Sequence, residues 1–194
     1  ALNFDGVNDA IDCGNPSALD ITGTSLTLEA IITLDGNGTI ISKEQSSAAG
    51  YILRQDADGK ISFFIGSSGT WYGVSTTMAI STGVKYHIAA TYDGSNLKIY
   101  LDGVETANSP TTASIASSTS NLTIGDWPLG GRNINATIDD IRIWNVTRTT
   151  AEISANMSTD LTLPQTGLVA YYKFNQGTVN ADNSSETTLL DTTS

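Results

Sequence analysis

The sequence of 194 residues contains one cysteine and one histidine. A single cysteine cannot form an internal disulfide, so Cys13 is expected to pack as a small buried hydrophobe. At this length a single all-β domain can bury a core without disulfides. His87 lies in an alternating apolar run, where a histidine hydrogen-bonded on a sheet face is more common than a catalytic one. The single cysteine and single histidine therefore favour a domain that is stabilised by core packing.

Basic residues are also few, because 9 Lys and Arg face 20 Asp and Glu, for a net charge of −11. Such a surface repels nucleic acid and anionic membranes, so we expect neither as a partner. No apolar run reaches membrane-spanning length and no signal segment opens the chain, so we expect no membrane insertion and a mature or excised piece of a longer protein. The Ser-, Thr-, Asn- and Gly-rich composition is typical of secreted or cell-surface proteins of bacteria.

Short alternating segments separated by turn signals are abundant. In Leu26–Leu34, alternate residues are apolar, which predicts a sandwich strand, and Asp58-Gly59 and Asp102-Gly103 are hairpin turns by type. About a dozen such strands predict an antiparallel two-sheet jelly-roll β-sandwich. The spacing Thr149-Thr-Ala-Glu152 is that of a capping box, which predicts one short helix near the C-terminus, over 150–157.

Two acidic stretches have the chemistry of a hard-cation site. The turn Asp5-Gly-Val-Asn-Asp9 carries three oxygen-bearing side chains around a glycine. Such a turn either wraps a cation or is an ordinary Asx-rich turn. Asp139 and Asp140 stand together where an apolar strand begins, and they either bind a cation or remain solvated.

A sugar site needs aromatic rings that stack on apolar sugar faces, with acids, amides or arginines around them. The loop Asp126-Trp-Pro-Leu-Gly-Gly-Arg132 joins an aromatic to an acid and a base between two strands. Trp127 is either a sugar platform or a core plug. Trp71 and Trp144 are further aromatic candidates that equally suit a core. The candidate ligand-binding residues are Trp71, Tyr72, Asp126, Trp127, Arg132, Asn133 and Arg142.

Catalysis has little support in the sequence. Retaining glycosidases place two carboxyl groups close together on one face, commonly two glutamates of one strand. The five glutamates of this chain are scattered, and no nucleophile elbow, metal-spaced histidine pair or phosphate loop is present. We therefore expect a non-catalytic protein, with a glycoside hydrolase as the less favoured alternative.

Six segments in order along nearly the whole chain resemble the blocks of laminin G-like domains, in the concanavalin A-like lectin/glucanase superfamily. They are Phe4-Asp-Gly6, Leu26-Thr-Leu-Glu-Ala30, Tyr86-His-Ile-Ala-Ala-Thr-Tyr-Asp-Gly94, Leu97-Lys-Ile-Tyr-Leu-Asp-Gly103, Ile138-Asp-Asp-Ile-Arg-Ile-Trp-Asn145 and Leu168-Val-Ala-Tyr-Tyr-Lys-Phe174. The resemblance implies a two-sheet jelly roll, often with a calcium ion that ties the N-terminal turn to a strand near the C-terminus. On this sequence the implied ligands are Asp5, Asn8, Asp9, Asp139 and Asp140.

The expected function is a calcium-stabilised carbohydrate-binding or adhesion module of a larger secreted or cell-surface protein. Its expected partners are a polysaccharide or glycan and the other modules of that protein. The alternative is a structural spacer or protein–protein interaction module of an adhesin. Residues 1–177 are predicted to form the sandwich, and 178–194 a polar tail or linker that is extended or poorly packed.

Overall fold

The structure is a computed structural model that describes residues 1–176 and 188–193. Strands β1 to β13 are, in chain order, Leu2–Asp5, Ile11–Asp12, Leu26–Leu34, Gly38–Ser42, Gly50–Gln55, Ile61–Ser67, Thr70–Ser75, Lys85–Tyr92, Asn96–Leu101, Val104–Pro110, Thr123–Ile124, Asn135–Trp144 and Leu168–Tyr172. A short 3-10 helix, Ser17–Leu19, follows β2, and the α-helix α1, Thr150–Asn156, follows β12. None of the helices in the described part of the chain has the length and apolarity to cross a membrane.

The strands pair into two antiparallel sheets. Sheet A has the order β1-β12-β3-β8-β9-β10, with β13 also paired to β12, and sheet B has the order β2-β11-β4-β5-β6-β7. Apolar side chains of both sheets fill the space between them and form one large buried cluster. The predicted two-sheet antiparallel β-sandwich with one short helix is confirmed.

Strand β3 lies inside sheet A and shows how the sequence pattern produces the core. Its residues Leu26, Leu28 and Ala30 are fully buried between the sheets, as the alternation predicts. The opposite face is not open to water, because Thr27 and Glu29 are buried as well. Sheet A is therefore covered on its outer face, which the pattern of a half-buried strand did not predict.

Helix α1 and the segment that follows it provide this cover. Ile153 of α1 packs against Ala89 and Tyr100 of sheet A, and Leu161 packs against Trp144 and Tyr171. The helix begins with the predicted capping box between Thr149 and Glu152 and ends one residue earlier than predicted. Burial of Ile153 in an apolar contact fixes this short helix on the sheet.

A buried polar cluster lies under the cover, around the carboxylate of Glu29, which is 2 % exposed. Trp144 Nε1 donates to Glu29 Oε1 at 2.7 Å, and Glu29 Oε2 lies 3.0 Å from His87 Nε2 and 3.6 Å from Arg142 Nη1. The prediction of a hydrogen-bonded sheet-face His87 is confirmed.

The ligand-binding role predicted for Arg142 is wrong. Arg142 is 1 % exposed and donates to the carbonyls of Asn156 and Thr159, at 2.8 and 2.7 Å, which hold the covering segment to the sheet. Trp144 is 0 % exposed and is not a sugar platform either. Both were placed on an open face by alternation alone, and the covering segment closes that face.

Residues 188–193 pack beside β13. Tyr171 N donates to Asp191 Oδ1 at 3.0 Å, and Leu189 packs against the core. The described residues 188–193 of the predicted tail are therefore packed, while 177–187 and 194 lie outside the described residues. Cys13 packs at the edge of the core nearby, and burial raises the pKa of its thiol to about 11, as expected for a packed thiol.

Replacing Glu29 by Ala should destabilise the fold strongly, because it leaves Arg142 buried without this carboxylate. We expect the free energy of unfolding to fall by about 3–5 kcal/mol. Urea denaturation measures the change. The matched control is Glu105→Ala, which removes the exposed partner of Lys98 and should cost at most about 1 kcal/mol. Equal losses in the two variants would contradict a structural role for the cluster.

Candidate functional site

Loops from distant parts of the sequence meet at one end of the sandwich, around Asn135. Strand β1 pairs with β12 so that Asp5 lies opposite Asn135. The backbone N–H groups of Asp35 and Gly36 both donate to the carbonyl of Asn135 at 2.9 Å. The β1–β2 turn, the β3–β4 loop and the start of β12 are thus held together by backbone pairing.

The loop between β11 and β12 is organised by the carboxylate of Asp126. This side chain is 6 % exposed and accepts from the backbone N–H of Trp127, Gly131 and Arg132, at 2.8, 3.1 and 2.7 Å, and from Asn133 Nδ2 at 3.1 Å. Four donors around one buried carboxylate fix the conformation of the loop. Asp126 was predicted to bind ligand, and it instead holds the residues beside it.

Trp127 lies half-buried outside the core cluster, so it is not a core plug. Its Nε1 donates to the carbonyl of Gly130 at 2.5 Å, and the guanidinium carbon of Arg132 lies 4.1 Å from the ring centroid. Arg132 Nη1 also donates to Glu44 Oε2 at 2.9 Å. Burial raises the pKa of Glu44, and the charges of Arg132 and Arg54 oppose that rise. One face of the indole is therefore occupied by the arginine, which the sequence did not predict.

A second stacked arginine stands across from the first. Arg54 lies at the end of β5 with its guanidinium carbon 4.8 Å from the ring centroid of Phe64. Its Nε donates to Asp56 Oδ1 at 2.7 Å, and Ser62 Oγ donates to the other oxygen of the same carboxylate. Each arginine is thus stacked on a ring and paired with an acid, which fixes the plane of its guanidinium.

Between the two arginines lies an open cleft of about 570 Å³, called here the rim cleft. Close backbone packing shapes its floor: a β-carbon at Gly38 would lie 2.5 Å from the Cα of Ile134, so only glycine fits there. The cleft is lined by Asp5, Gly6, Gly36, Asn37, Gly38, Arg54, Gln55, Asp56, Ala57, Gly131, Arg132, Asn133 and Asn135.

Sequence reasoning named Arg132 and Asn133 in this set as ligand-binding residues and Asp5 as a metal ligand, and missed the opposite wall. Arg54, Asp56 and the exposed amides Asn37 and Asn135 belong to segments that carry ordinary turn and strand signals. The signal that points to them is a polar residue at the end of an apolar strand, as in Ile52-Leu-Arg-Gln-Asp56. Only the pairing of strands shows that these ends converge.

Trp71 and Tyr72 lie on β7 and not in the rim cleft. Trp71 pairs with Gly66 and faces away from the core, while Tyr72 pairs with the buried Ile65 and faces the other way. The two rings therefore do not share a surface, and neither lies in the rim cleft, so a ligand-binding role for Trp71 or Tyr72 stays a prediction.

The five predicted metal ligands do not form one site. Asp9 Oδ2 accepts from Asp5 N, and Asp5 Oδ1 accepts from Val7 N, both at 2.8 Å, so these two acids build the turn at the rim cleft end of β1. Asp139 lies at the other end of β1, where its Oδ1 is 3.2 Å from the nitrogen of Ala1. Four residues of extended chain separate the two ends by about 14 Å.

Asp140 belongs to the distant acidic spot. It accepts from the hydroxyl of Tyr171 at 3.0 Å, and burial raises the pKa of its carboxyl. The antiparallel register thus separates the two acidic stretches that the resemblance joined. Within residues 1–176 and 188–193, the structure contains no group of three or more His, Cys, Asp or Glu side chains arranged to hold a metal ion.

Solved structures share this architecture. A candidate carbohydrate-binding protein from Bacteroides ovatus ATCC 8483 is 26% identical with a TM-score of 0.67, over 88% of this chain and 50% of that protein, so the chain spans half the length of that relative. A heptameric SAP-like pentraxin from Limulus polyphemus is 18% identical with a TM-score of 0.60, over 80% of each chain. The binding domain of botulinum neurotoxin serotype G is 14% identical with a TM-score of 0.63, over 80% of this chain and 41% of that domain.

The likeness to the pentraxin and the toxin domain shows a shared fold. A comparison with curated proteins gave no match. A family model described as the Concanavalin A-like lectin/glucanases superfamily matches residues 5–154, which is most of the sequence. The chain therefore belongs to the laminin G-like family of the concanavalin A-like lectin/glucanases superfamily.

Proposed function

We propose that this chain is a non-catalytic carbohydrate-binding module that takes a glycan in the rim cleft. The observation that carries the proposal is the pair of walls formed by Arg132 on Trp127 and Arg54 on Phe64. The two arginines line the cleft, and the rings support them from behind. Planar cations held in this way present oriented N–H groups, which suit the hydroxyl edges of a sugar.

The remaining lining suits hydroxyl groups better than charged ones. The amides of Asn37, Asn133 and Asn135 each offer a donor and an acceptor, which matches the double character of a hydroxyl. Both arginines already have a carboxylate partner, Glu44 or Asp56. The cleft therefore has little positive charge to spare, and we propose a neutral glycan.

Binding is favoured over hydrolysis by the state of the acids. Two acids line the cleft: Asp56 is engaged by Arg54 and Ser62, and Asp5 accepts from the backbone N–H of Val7. Glu44, beside the cleft, is engaged by Arg132. A glycosidase needs one carboxyl group free to give a proton and a second free to act as base or nucleophile. Acids held in ion pairs support a binding role. The likeness to the Bacteroides ovatus carbohydrate-binding candidate supports the same proposal.

We place the module in a larger secreted or cell-surface protein, which the half-length match to the same relative supports. The alternative, a spacer or protein-interaction module of an adhesin, differs in a measurable way. A spacer binds no glycan in a broad panel, whereas the proposed module retains at least one.

Binding is tested on a panel of laminarin, xylan and mannan as neutral glycans, with alginate as the anionic comparison. We expect at least one neutral glycan to bind and alginate to bind weakly or not at all. Replacing Trp127 by Ala should weaken the retained glycan by about 1–2 kcal/mol, because it removes both the ring and the support of Arg132. Isothermal titration calorimetry measures the affinity.

The same variant should lower the free energy of unfolding by about 1–2 kcal/mol, well below the roughly 3–5 kcal/mol of a core aromatic. Asn37→Ala is the cleaner companion, because this exposed amide lines the cleft and its loss should reduce affinity without changing stability. Its matched control is Asn108→Ala, which removes an exposed amide on β10 of sheet A. Unchanged affinity in both cleft variants would move the site elsewhere.

Calcium binding remains a prediction, and we propose it for the turn 5–9, which contains Asp5, Asn8 and Asp9, without the distant Asp139 and Asp140. An ion held only by the folded state stabilises it by mass action. Chelation with EDTA should then lower the melting temperature by a few degrees, and calcium should restore it.

Asp9→Asn keeps an acceptor for Asp5 N but removes the charge, so it should abolish the response to EDTA. Asp140→Asn is the matched control and should respond like the unchanged protein. A melting curve of the unchanged protein that is the same with and without EDTA would reject a stabilising calcium ion. Loss of the response in the Asp140 variant would instead point to the distant acidic spot.

A further inference from the structure

We propose that β7, Thr70–Ser75, is an association edge through which two copies of this chain pair. The two β7 strands lie antiparallel and join the two copies of sheet B into one continuous sheet. This edge lies outside the rim cleft. The inference is therefore independent of the proposed glycan binding and stands or falls without it.

Strand β7 is a regular edge without the usual protection against pairing. It is the last strand of sheet B, and it pairs with β6 from Ser67 and Thr70 to Ser62 and Ser75 without a register shift. Natural edge strands are commonly short, or carry charges, prolines or bulges that prevent pairing with another chain. The strand Thr70-Trp-Tyr-Gly-Val-Ser75 contains no charged residue and no proline. Its edge is therefore open to a further strand.

The other edges of the two sheets carry such protection. Strand β10 has a bulge between Glu105 and Ala107 and ends at Pro110. Strands β1 and β2 are only 4 and 2 residues long, and the described residues 188–193 bond to β13. In a protein of net charge −11, two like copies approach with least repulsion at a neutral edge. Among the edges of the described part of the chain, β7 is thus the one suited to pairing.

The direction of the free backbone groups follows from the pairing with β6. Thr76 N donates to the carbonyl of Ile61 at 2.9 Å, so the backbone groups of Thr76 point toward β6. Because this direction alternates along an antiparallel strand, Trp71, Gly73 and Ser75 point their N–H and C=O groups away from β6. No strand pairs with β7 on that side within residues 1–176 and 188–193. These donors and acceptors are therefore aligned for a partner strand.

A second copy of β7 completes this edge when a two-fold axis passes through Gly73. Gly73 then lies opposite Gly73 of the second copy, and Trp71 of each copy lies opposite Ser75 of the other. Each of these opposed pairs exchanges two backbone hydrogen bonds. The two-fold axis also closes the assembly, because one contact uses both open edges.

The side chains fit this register on both faces of the sheet. On the face toward the core, Tyr72 of each copy lies opposite Val74 of the other, an aromatic and β-branched pair that stabilises sheets. Tyr72 is 38% exposed in the single chain, so pairing removes ring surface from water. On the outer face the ring of Phe64 covers Gly73, where a β-carbon would lie 2.3 Å from it. Pairing at the axis then places the two Phe64 rings next to each other, as a further aromatic contact.

Association is tested by sedimentation equilibrium of the unchanged protein over a roughly hundredfold range of concentration. We expect the average mass to rise from that of one chain toward that of two, because mass action favours the dimer. Amide hydrogen exchange at the two ends of the range locates the contact. The amides of Trp71, Gly73 and Ser75 should be protected only in the dimer, whereas those of Tyr72 and Val74, which bond to β6, should be protected in both states.

Ser75→Pro removes an outward N–H and keeps the bonds to β6, so it should weaken association by about tenfold or more. Its matched control is Ser75→Ala, which loses the same hydroxyl contact with Ser62 but keeps the N–H, and it should associate like the unchanged protein. Tyr72→Lys keeps the test decisive if the proline variant folds poorly. It places an unpaired charge opposite Val74 and should also weaken association, while Val7→Lys adds the same charge in the exposed β1–β2 turn and should not.

A protein that stays monomeric over the whole range would overturn the proposal. So would a dimer in which the β7 amides exchange as fast as in the monomer, or one that Val7→Lys weakens as much as Tyr72→Lys does. Protection of the same amides by a different added protein, while this chain alone stays monomeric, would assign the edge to another occupant and overturn the pairing of two copies.

Discussion

The carboxylate of Glu29 is the constraint on which the sandwich depends. It lies under the cover of sheet A, against donors from β8 and β12, and Arg142 carries the contact onward to the carbonyls that follow α1. A buried charge is tolerated only when such partners surround it. The cluster therefore aligns three strands and closes the outer face of sheet A. The proposed glycan site lies away from this covered face, among the loops at the rim.

Asp126 plays a similar part in the loop between β11 and β12, as a second buried carboxylate surrounded by hydrogen-bond donors. Its four donors come from residues 127–133 of one loop, so a single carboxylate sets much of the loop's shape, and Glu44 outside the loop holds Arg132. The result presents Trp127 and Arg132 in fixed positions at the edge of the rim cleft. A pre-shaped loop loses less conformational entropy when a ligand binds, which favours affinity from few contacts.

Local patterns predicted what is local, and register decided the rest. The alternation of β3 and the capping box at Thr149 depend on neighbours a few residues away, so both agree with the structure. The burial of Arg142 depends on a segment that folds back over sheet A, which no periodicity shows. The proposed joint metal site required Asp5 and Asp139 to be adjacent, and the pairing of Asp5 with Asn135 places them at opposite ends of β1. The resemblance correctly brought the N-terminal segment beside β12, but it did not give the register that separates Asp5 from Asp139.

The pairing of each cleft arginine with an acid is consistent with the proposed neutral ligand in a protein of charge −11. An unpaired guanidinium would be mobile and would attract anions. Arg132 and Arg54 each give only one N–H to the acid in the bonds described above, and a guanidinium has five. The ion pair and the ring fix the plane, and the other N–H groups remain to be offered at a set angle. Lysine, with a freely rotating point charge, would lack this planar order, so the chemistry of the cleft depends on arginine in particular.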